Sequence, residues 1–501
     1  MATIPIIVWD AAEVSGMKAI VAVLDREGKN AVQIAVSMLK ALGHGGADAF
    51  GIATQNHVIV EKSLEKLPVE GFKSSTAIGH VFLKVLAQGK PQPTQIERAT
   101  FVFDGRIYTS SVTPSEADIV AKKLQANGEA DAEALIKEFD GCFAFAIANN
   151  EKLIVGRDPL GLYPLYYGGN ADLFAFASER KALWRIGIER VQSSPPGHLV
   201  IADKNGLKIK PIKVLKRSAQ ASMKGVVKNL QTLLEQSVKE RVRGLSEVAV
   251  AFSGGLDSSL VAWLTKKAGV KVHLIHVSLE KQPETEQAEK AARLLDMPFH
   301  AYLYDEEDVE RMLPEVLLAI EDHNPVMASI GVPMFWAAEK AAELGFRVLF
   351  SGLGADEYFG GYRRYLNIYK RFGEEAAEKA IAHDILTMHE NNFERDVKIC
   401  AFNNVELRLP FASYPIAEFA LNIPLRMKME SLSDPLRKVV LRKTAEKVGL
   451  PLQIVNRPKK AVQYATGVAK AVKRLAKREK LKVEQFLQKI FLEVFENFRT
   501  A

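Results

Sequence analysis

Seven consecutive residues, Ser253-Gly254-Gly255-Leu256-Asp257-Ser258-Ser259, lead from an apolar stretch at 248–252 into a helical pattern at 258–267. Such a turn aims unpaired backbone N–H groups at one point, and the positive end of the helix dipole faces the same way. Two glycines let the backbone approach a large anion, while Ser253, Ser258 and Ser259 add hydroxyl donors. Asp257 would repel a phosphate unless a cation lay between them, so the set implies magnesium. A simple helix cap needs one serine and no aspartate. The Gly-Lys-Ser/Thr ending of kinase and GTPase loops is absent, which excludes that class.

A second loop, Ser351-Gly352-Leu353-Gly354-Ala355-Asp356-Glu357 running on to Gly360-Gly361-Tyr362, follows another apolar stretch at 347–350. Its acids can share a metal with Asp257, the lesser alternative for a glycine-rich acidic loop taken alone being a solvated turn. Both loops need rigid strands behind them. From about 222, strands at 248–252, 270–277, 299–303 and 347–350 alternate with helices at 226–242, 258–267, 284–295 and 334–344. Strands this apolar between amphipathic helices predict a parallel sheet covered on both faces. Ligands bind beyond the carboxyl ends of such strands, where both loops lie. Residues 17–205 read instead as short strands, 100–103, 142–148 and 153–156 among them, with a helix at 31–42. After about 370 the chain is mostly helical and ends in a basic amphipathic stretch, 468–498.

The totals set limits on function. A chain of 501 residues divides into two or three domains. Its composition, 48% apolar and 25% charged with mean hydropathy near zero, is that of a soluble globular protein. No apolar run approaches the roughly 18 residues of a membrane span. The apolar run at 3–9 lacks a basic start and is followed by Asp10 and Glu13, which argues against a secretory signal. Cys142 and Cys400 are too few for a disulfide framework or a structural zinc site and suit a reducing cytoplasm. A net charge of +7 helps an anionic substrate approach. The tail cations Lys470, Lys473, Arg474, Lys477, Arg478, Lys480 and Lys482 interleave with Val472, Leu475 and Leu481. That pattern reads as a helix with a solvated basic face, and without aromatic stacking residues it weighs against nucleic acid.

The first loop resembles that of the ATP pyrophosphatases, which split ATP into AMP and pyrophosphate while adenylating a substrate. With the second loop it resembles asparagine synthetases, and further segments follow in order: 395–411 ending in Val405-Glu-Leu-Arg-Leu-Pro-Phe411, then 438–442, then Arg457-Pro-Lys-Lys460. Gly156-Arg-Asp-Pro-Leu-Gly-Leu-Tyr-Pro-Leu-Tyr166 and Ala177-Ser-Glu-Arg-Lys-Ala-Leu183 resemble the scaffold of that family's glutaminase domain. The resemblance covers about 17–468. It implies an N-terminal Ntn-hydrolase-like α/β/β/α sandwich, 17–205, and a doubly wound parallel-sheet ATP pyrophosphatase (HUP-like) domain, 222–468, with a helical C-terminal part and a basic tail, 469–501. It implies ATP with its phosphates on Ser253, Gly254, Gly255, Asp257, Ser258 and Ser259, adenine near Val277, and the α-phosphate near Ser351 and Gly352. Magnesium is implied on Asp257 and Asp356, with Lys459 or Lys460 stabilising the transferring phosphoryl group. The implied reaction adenylates the aspartate side chain and lets ammonia displace AMP.

The chain also departs from that family. A working member begins with a cysteine whose thiol attacks glutamine and whose free amine is the base. Here Lys18 occupies that place, behind 17 residues, with Met17 an alternative start. The family's Asn-Gly-Glu is Asp104-Gly105-Arg106, and an expected arginine is Phe82 within His80-Val81-Phe82-Leu83. The reading is a lost glutaminase, with ammonia supplied free or by a separate glutaminase subunit; a homodimer is compatible with it. The alternatives are a β-lactam synthetase-like ligase, opposed by Leu353 where that branch has tyrosine, and an inactive regulatory homologue, opposed by the intact loop.

Overall fold

The computed structural model describes residues 18–42, 47–67, 71–84, 89–97, 99–108, 115–124, 128–149, 151–217, 225–430, 436–458 and 461–500, the last four without side chains. Residues 1–17, Met17 included, and Lys459 and Lys460 lie outside these.

Strand alternation builds the N-terminal half. Along Ala19–Asp25, Ile20, Ala22 and Leu24 face one core while Ala19, Val21 and Val23 face another, the period of two that a strand imposes. This strand is central in a seven-stranded antiparallel sheet, ordered 192–193, 166–169, 173–177, 19–25, 76–82, 49–53, 58–61. A six-stranded antiparallel sheet, ordered 206–211, 198–203, 152–157, 141–148, 99–107, 94–96, lies against it. Between the sheets, Ile20, Ala22, Ile78 and Phe176 meet Val102, Ala144, Ala146 and Val155. Helices Ala31–Leu42 and Arg180–Arg185 cover the outside of the first sheet. Helices Glu116–Lys123 and Glu129–Glu138 cover the second, over Phe101, Phe103, Phe143 and Phe145. Each of those phenylalanines stabilises the domain by about 1.5–3 kcal/mol. The result is the expected α/β/β/α sandwich.

The C-terminal half is organised by a five-stranded parallel sheet ordered Phe299–Tyr304, Lys271–Leu279, Glu247–Ala251, Val348–Phe350, Glu406–Arg408. Val248, Ala249 and Val250 are buried in succession, as are Val348, Leu349 and Phe350, because helices cover both faces. Numbered by chain order the strands run 3-2-1-4-5, so the order reverses between the first and fourth. The two loops leave those two strands, at the position where open α/β sheets bind ligands.

Several elements differ from the sequence reading, among them the fifth strand, Glu406–Arg408, within the stretch that reads as mostly helical. The helix expected at 334–344 spans Pro325–Glu343, capped by Asn324, whose Oδ1 accepts from the N–H of Val326 at 2.9 Å. Pro333 sits inside it and masks its first half. Helix Glu306–Ile320 has no counterpart in the sequence pattern; it carries Pro314 within and opens on a capping box between Asp305 and Asp308. The basic tail is two helices, Val468–Arg478 and Val483–Thr500, broken where Lys480 takes φ 57°. Its cations are exposed as expected, and Arg474 and Arg478 pair with Glu306 and Glu310. Val472, Leu475, Phe486 and Ile490 join the C-terminal core, and Phe495 packs edge-on at 5.2 Å against Trp184 of the sandwich.

The halves meet through buried charge. Glu394 accepts from Arg157 Nη1 at 3.2 Å, Ser193 Oγ at 2.7 Å and Tyr166 Oη at 2.6 Å. Glu321 accepts from the N–H of Arg180 and Lys181 at 2.9 and 2.6 Å and from Lys398 Nζ at 3.1 Å. The runs 156–166 and 177–183, read as glutaminase scaffold, therefore supply the docking face for the other domain.

Candidate active site

Helix Leu256–Lys267 starts at Gly255 as the first strand ends, so the free N–H groups of its first turn point out of the sheet. Gly254 takes φ +66°, and a Cβ there would lie 2.7 Å from Ala288 Cα and 2.9 Å from Arg457 Nη1. Only glycine fits between those neighbours. Ser253 and Ser258 hydroxyls stand 3.2 Å apart, and Ser253 Oγ accepts from the Gly255 N–H at 3.3 Å. These weak contacts are readily exchanged for an anion. Ser259 is fully buried, and its hydroxyl has no partner among the described residues.

The second loop closes on the first. A Cβ on Gly352 would lie 2.9 Å from the carbonyl carbon and Cβ of Asp257 and from the nitrogen of Ser258. Ser351 N–H donates to Arg408 O at 3.4 Å, extending the ladder between the fourth and fifth strands by one residue. Short helix Ala355–Phe359 then carries Asp356 and Glu357. Glu357 is buried; its Oε1 accepts from Tyr362 Oη and, at 2.6 Å, from Asn392 Nδ2. Asn392 belongs to a five-residue π-turn, His389–Phe393.

Lys438 joins the two loops. Its ammonium lies 2.7 and 2.6 Å from the carboxylate oxygens of Asp257 and 2.7 Å from Asp356 Oδ1. The side chain is 3% exposed, and burial lowers its pKa against the pull of Asp257. Lys438 takes φ 55° ahead of helix Val439–Lys447. Gly361 makes room for the triad, since a Cβ there would lie 1.9 Å from Asp356 Oδ1 and 2.3 Å from Lys438 Cε. Two carboxylates from separate loops converging on one cation form the hard oxygen donor set that suits magnesium, which takes one or two carboxylates plus substrate phosphates. The residues present therefore fit the implied metal.

The other expected residues fall around this triad. Val277 lies on the second strand past the end of the first, since the pairing of those strands stops at Ala251 and Ile275. Arg457 Nη1 donates to Gly254 O at 2.9 Å, which brings the last described residues before Lys459 and Lys460 to the first loop. Lys459 and Lys460 themselves are outside the described residues. Sequence reasoning singled out the segment 438–442 but gave Lys438 no role, and it missed Asn392 altogether.

In the sandwich, Lys18 precedes the central strand and lines a solvent-open cavity between the two halves. Asp104, Arg106, Cys142, Tyr163 and Ser178 form one wall, and Val397, Ala401, Val405, Glu406 and Leu407 the other. Tyr163 Oη donates to Asp104 Oδ2 at 2.6 Å. Burial lowers the pKa of His80 to about 4, despite Asp104 nearby, so its imidazole is neutral. Arg106 Nε and Nη2 donate to Glu406 at 3.2 and 2.6 Å, and Nη1 to Glu116 at 2.5 Å.

Comparison with known proteins agrees with both halves. The family model for asparagine synthase matches residues 229–497 and that for a glutamine amidotransferase domain matches 80–185. The protein of Methanocaldococcus jannaschii named "Putative asparagine synthetase, glutamine-hydrolyzing, 1" is 30% identical over 96% of this chain and 100% of its own length. The glutamine-hydrolyzing asparagine synthetase of Sandersonia aurantiaca is 27% identical over 71% of this chain and 69% of its own. The glutamine-hydrolyzing asparagine synthetase 2 of Arabidopsis thaliana is 29% identical over 71% and 63%. The chain therefore belongs to the asparagine synthetase family, as an ATP-dependent ligase with a glutamine amidotransferase domain ahead of its synthetase domain.

Proposed function

We propose that the chain adenylates the side-chain carboxylate of aspartate with ATP and amidates it with ammonia that does not come from glutamine hydrolysed in its own N-terminal domain. The observation that carries the ligase half is the convergence of Asp257 and Asp356 on Lys438 where the strand order reverses. A carboxylate in neutral water does not accept an amine until it carries a good leaving group. The aspartate oxygen attacks the α-phosphorus, the bond to the β-phosphate bridging oxygen breaks, and pyrophosphate leaves. Ammonia then attacks the acyl carbon, AMP departs with the carbon–oxygen bond, and the surplus proton passes to solvent.

In this reading the turn at Ser253, Gly254, Gly255, Ser258 and Ser259 holds the departing phosphates, and Val277 borders the adenine. Ser351 and Gly352 sit against the α-phosphate. Magnesium, when bound by Asp257 and Asp356, offsets the charge of the pyrophosphate. Lys438 releases those carboxylates and turns its ammonium to the phosphates, with Lys459 or Lys460 facing the transferring group.

Two observations support the loss of glutaminase. Lys18 stands where a thiol is required, and an amine has no sulfur with which to form a thioester. Arg106 replaces a glutamine-binding acid and is committed to Glu116 and Glu406. The test supplies ATP, magnesium and aspartate with either ammonium or glutamine, with Asp257→Ala as control. Asparagine, AMP and pyrophosphate with ammonium alone are expected. Equal turnover with glutamine overturns the loss of glutaminase, and turnover only with another acceptor overturns aspartate as substrate.

A further inference from the structure

Arg106 does more than vacate the glutamine site. Its guanidinium is 9% exposed and crosses from the sandwich to grip both oxygens of Glu406. Glu406 opens the fifth strand, Glu406–Arg408, which is three residues long and lies at the edge of the parallel sheet. A strand so short, with a sheet neighbour on one side only, makes few ladder bonds and takes its position from what grips its other side. The grip here is ionic and continuous: Arg106 on Glu406, Arg408 Nε on Glu406 Oε1 at 2.6 Å, and Arg408 Nη1 on the carbonyl of Arg241. The strand in turn holds the second loop, because Ser351 N–H donates to Arg408 O. Five residues further on is Asp356.

We propose that Arg106 is a positioning residue for the synthetase reaction, acting through Glu406 and the edge strand to set the place of Ser351 and the loop that carries Asp356. The N-terminal domain then serves the chemistry of the other half without catalysis of its own. The inference rests on the reading that this loop handles the α-phosphate and the metal. It does not depend on which carboxylate is the acceptor.

The control for a purely structural role is Glu116. It holds the same guanidinium but from within the sandwich, 10 residues along the chain. The experiment compares Arg106→Ala, Arg106→Lys, Glu406→Gln and Glu116→Gln in the full chain. It reads amide hydrogen exchange over 347–362 and 253–259, and the kcat and KM of pyrophosphate release. Arg106→Ala is expected to speed exchange in 351–361 while leaving 253–259 unchanged. A small misplacement of reacting groups is costly, so kcat should fall about tenfold or more. Arg106→Lys should recover part of that loss, Glu406→Gln should reproduce the exchange change, and Glu116→Gln should leave both within about twofold.

Equal effects of Arg106→Ala and Glu116→Gln, or exchange that rises evenly over both loops, overturn the proposal. If Arg106→Ala does not fold, Glu406→Gln alone decides it by the same loop-specific exchange. If the wild-type chain turns over no acceptor, the functional reading fails. The exchange experiment still decides whether Arg106 places the loop.

Discussion

The Nζ of Lys438 lies within 2.7 Å of both carboxylate oxygens of Asp257, across 181 residues of sequence. With Asp356 as its third contact, this buried ammonium is the point where the two loops are tied together. Two carboxylates this close need a cation between them. Lysine supplies it here.

Lys438→Met should therefore do two things. It should cut pyrophosphate release about 10²-fold or more, the usual cost of losing a cation that meets developing charge. It should also leave Asp257 and Asp356 facing each other unscreened, so the variant should gain more thermal stability from added magnesium than the wild type does. Melting curves with and without the metal check this, and equal shifts for the two proteins would refute the tie.

Gly352→Ala is expected to separate the loops. Its Cβ would lie 2.9 Å from atoms of Asp257 and Ser258 that belong to a helix start and cannot swing away. Overpacking of this sort costs about 1–3 kcal/mol, and relief comes by displacing Gly352 from the first loop. Calorimetry should find ATP affinity reduced at least about tenfold, with the fold retained. Wild-type affinity would mean the contact is not part of the nucleotide site.

Much of this architecture is legible in the sequence because it is local. Gly254, Gly255 and the serines punctuate a strand-to-helix turn within seven residues, and the apolar runs at 248–252 and 347–350 point to a parallel sheet. What is not legible is either non-local or concealed by proline. Lys438 finds its place through a left-handed backbone and a partner 181 residues away. Arg106 finds Glu406 at a separation of 300. Pro314 and Pro333 lie inside helices whose packing outweighs the missing hydrogen bond. The tail breaks at Lys480, where neither glycine nor proline marks the turn.

Restoring the thiol should not restore the glutaminase. A chain begun at residue 18 with Lys18→Cys has nucleophile and free amine together, yet on the proposed reading Phe82 and Arg106 still stand where glutamine clamps belong. Glutamate release from glutamine should remain at background. Joint replacement with Phe82→Arg, Asp104→Asn and Arg106→Glu is the combination expected to raise it. Hydrolysis by the single variant would show that the pocket keeps its substrate site.

Lys428 gives the pH dependence its clearest handle. The residue is 3% exposed, and burial pushes its pKa down to about 7 from 10.5, with Glu378 opposing and Arg217 adding to the shift. Between those two values the unfolded chain binds a proton that the folded chain does not, so this residue lowers stability as pH falls from about 10.5 to about 7. Below 7 both states are charged and its contribution is level. Lys428→Met keeps the length and removes the charge, and Glu378 retains its ion pair with Arg217. The variant should be more stable than the wild type at pH 7 by on the order of 1 kcal/mol or more. The advantage should shrink toward pH 10. Chemical denaturation at pH 7, 8.5 and 10 measures it, and a gain that does not change with pH would mean that Lys428 keeps its proton in the folded protein.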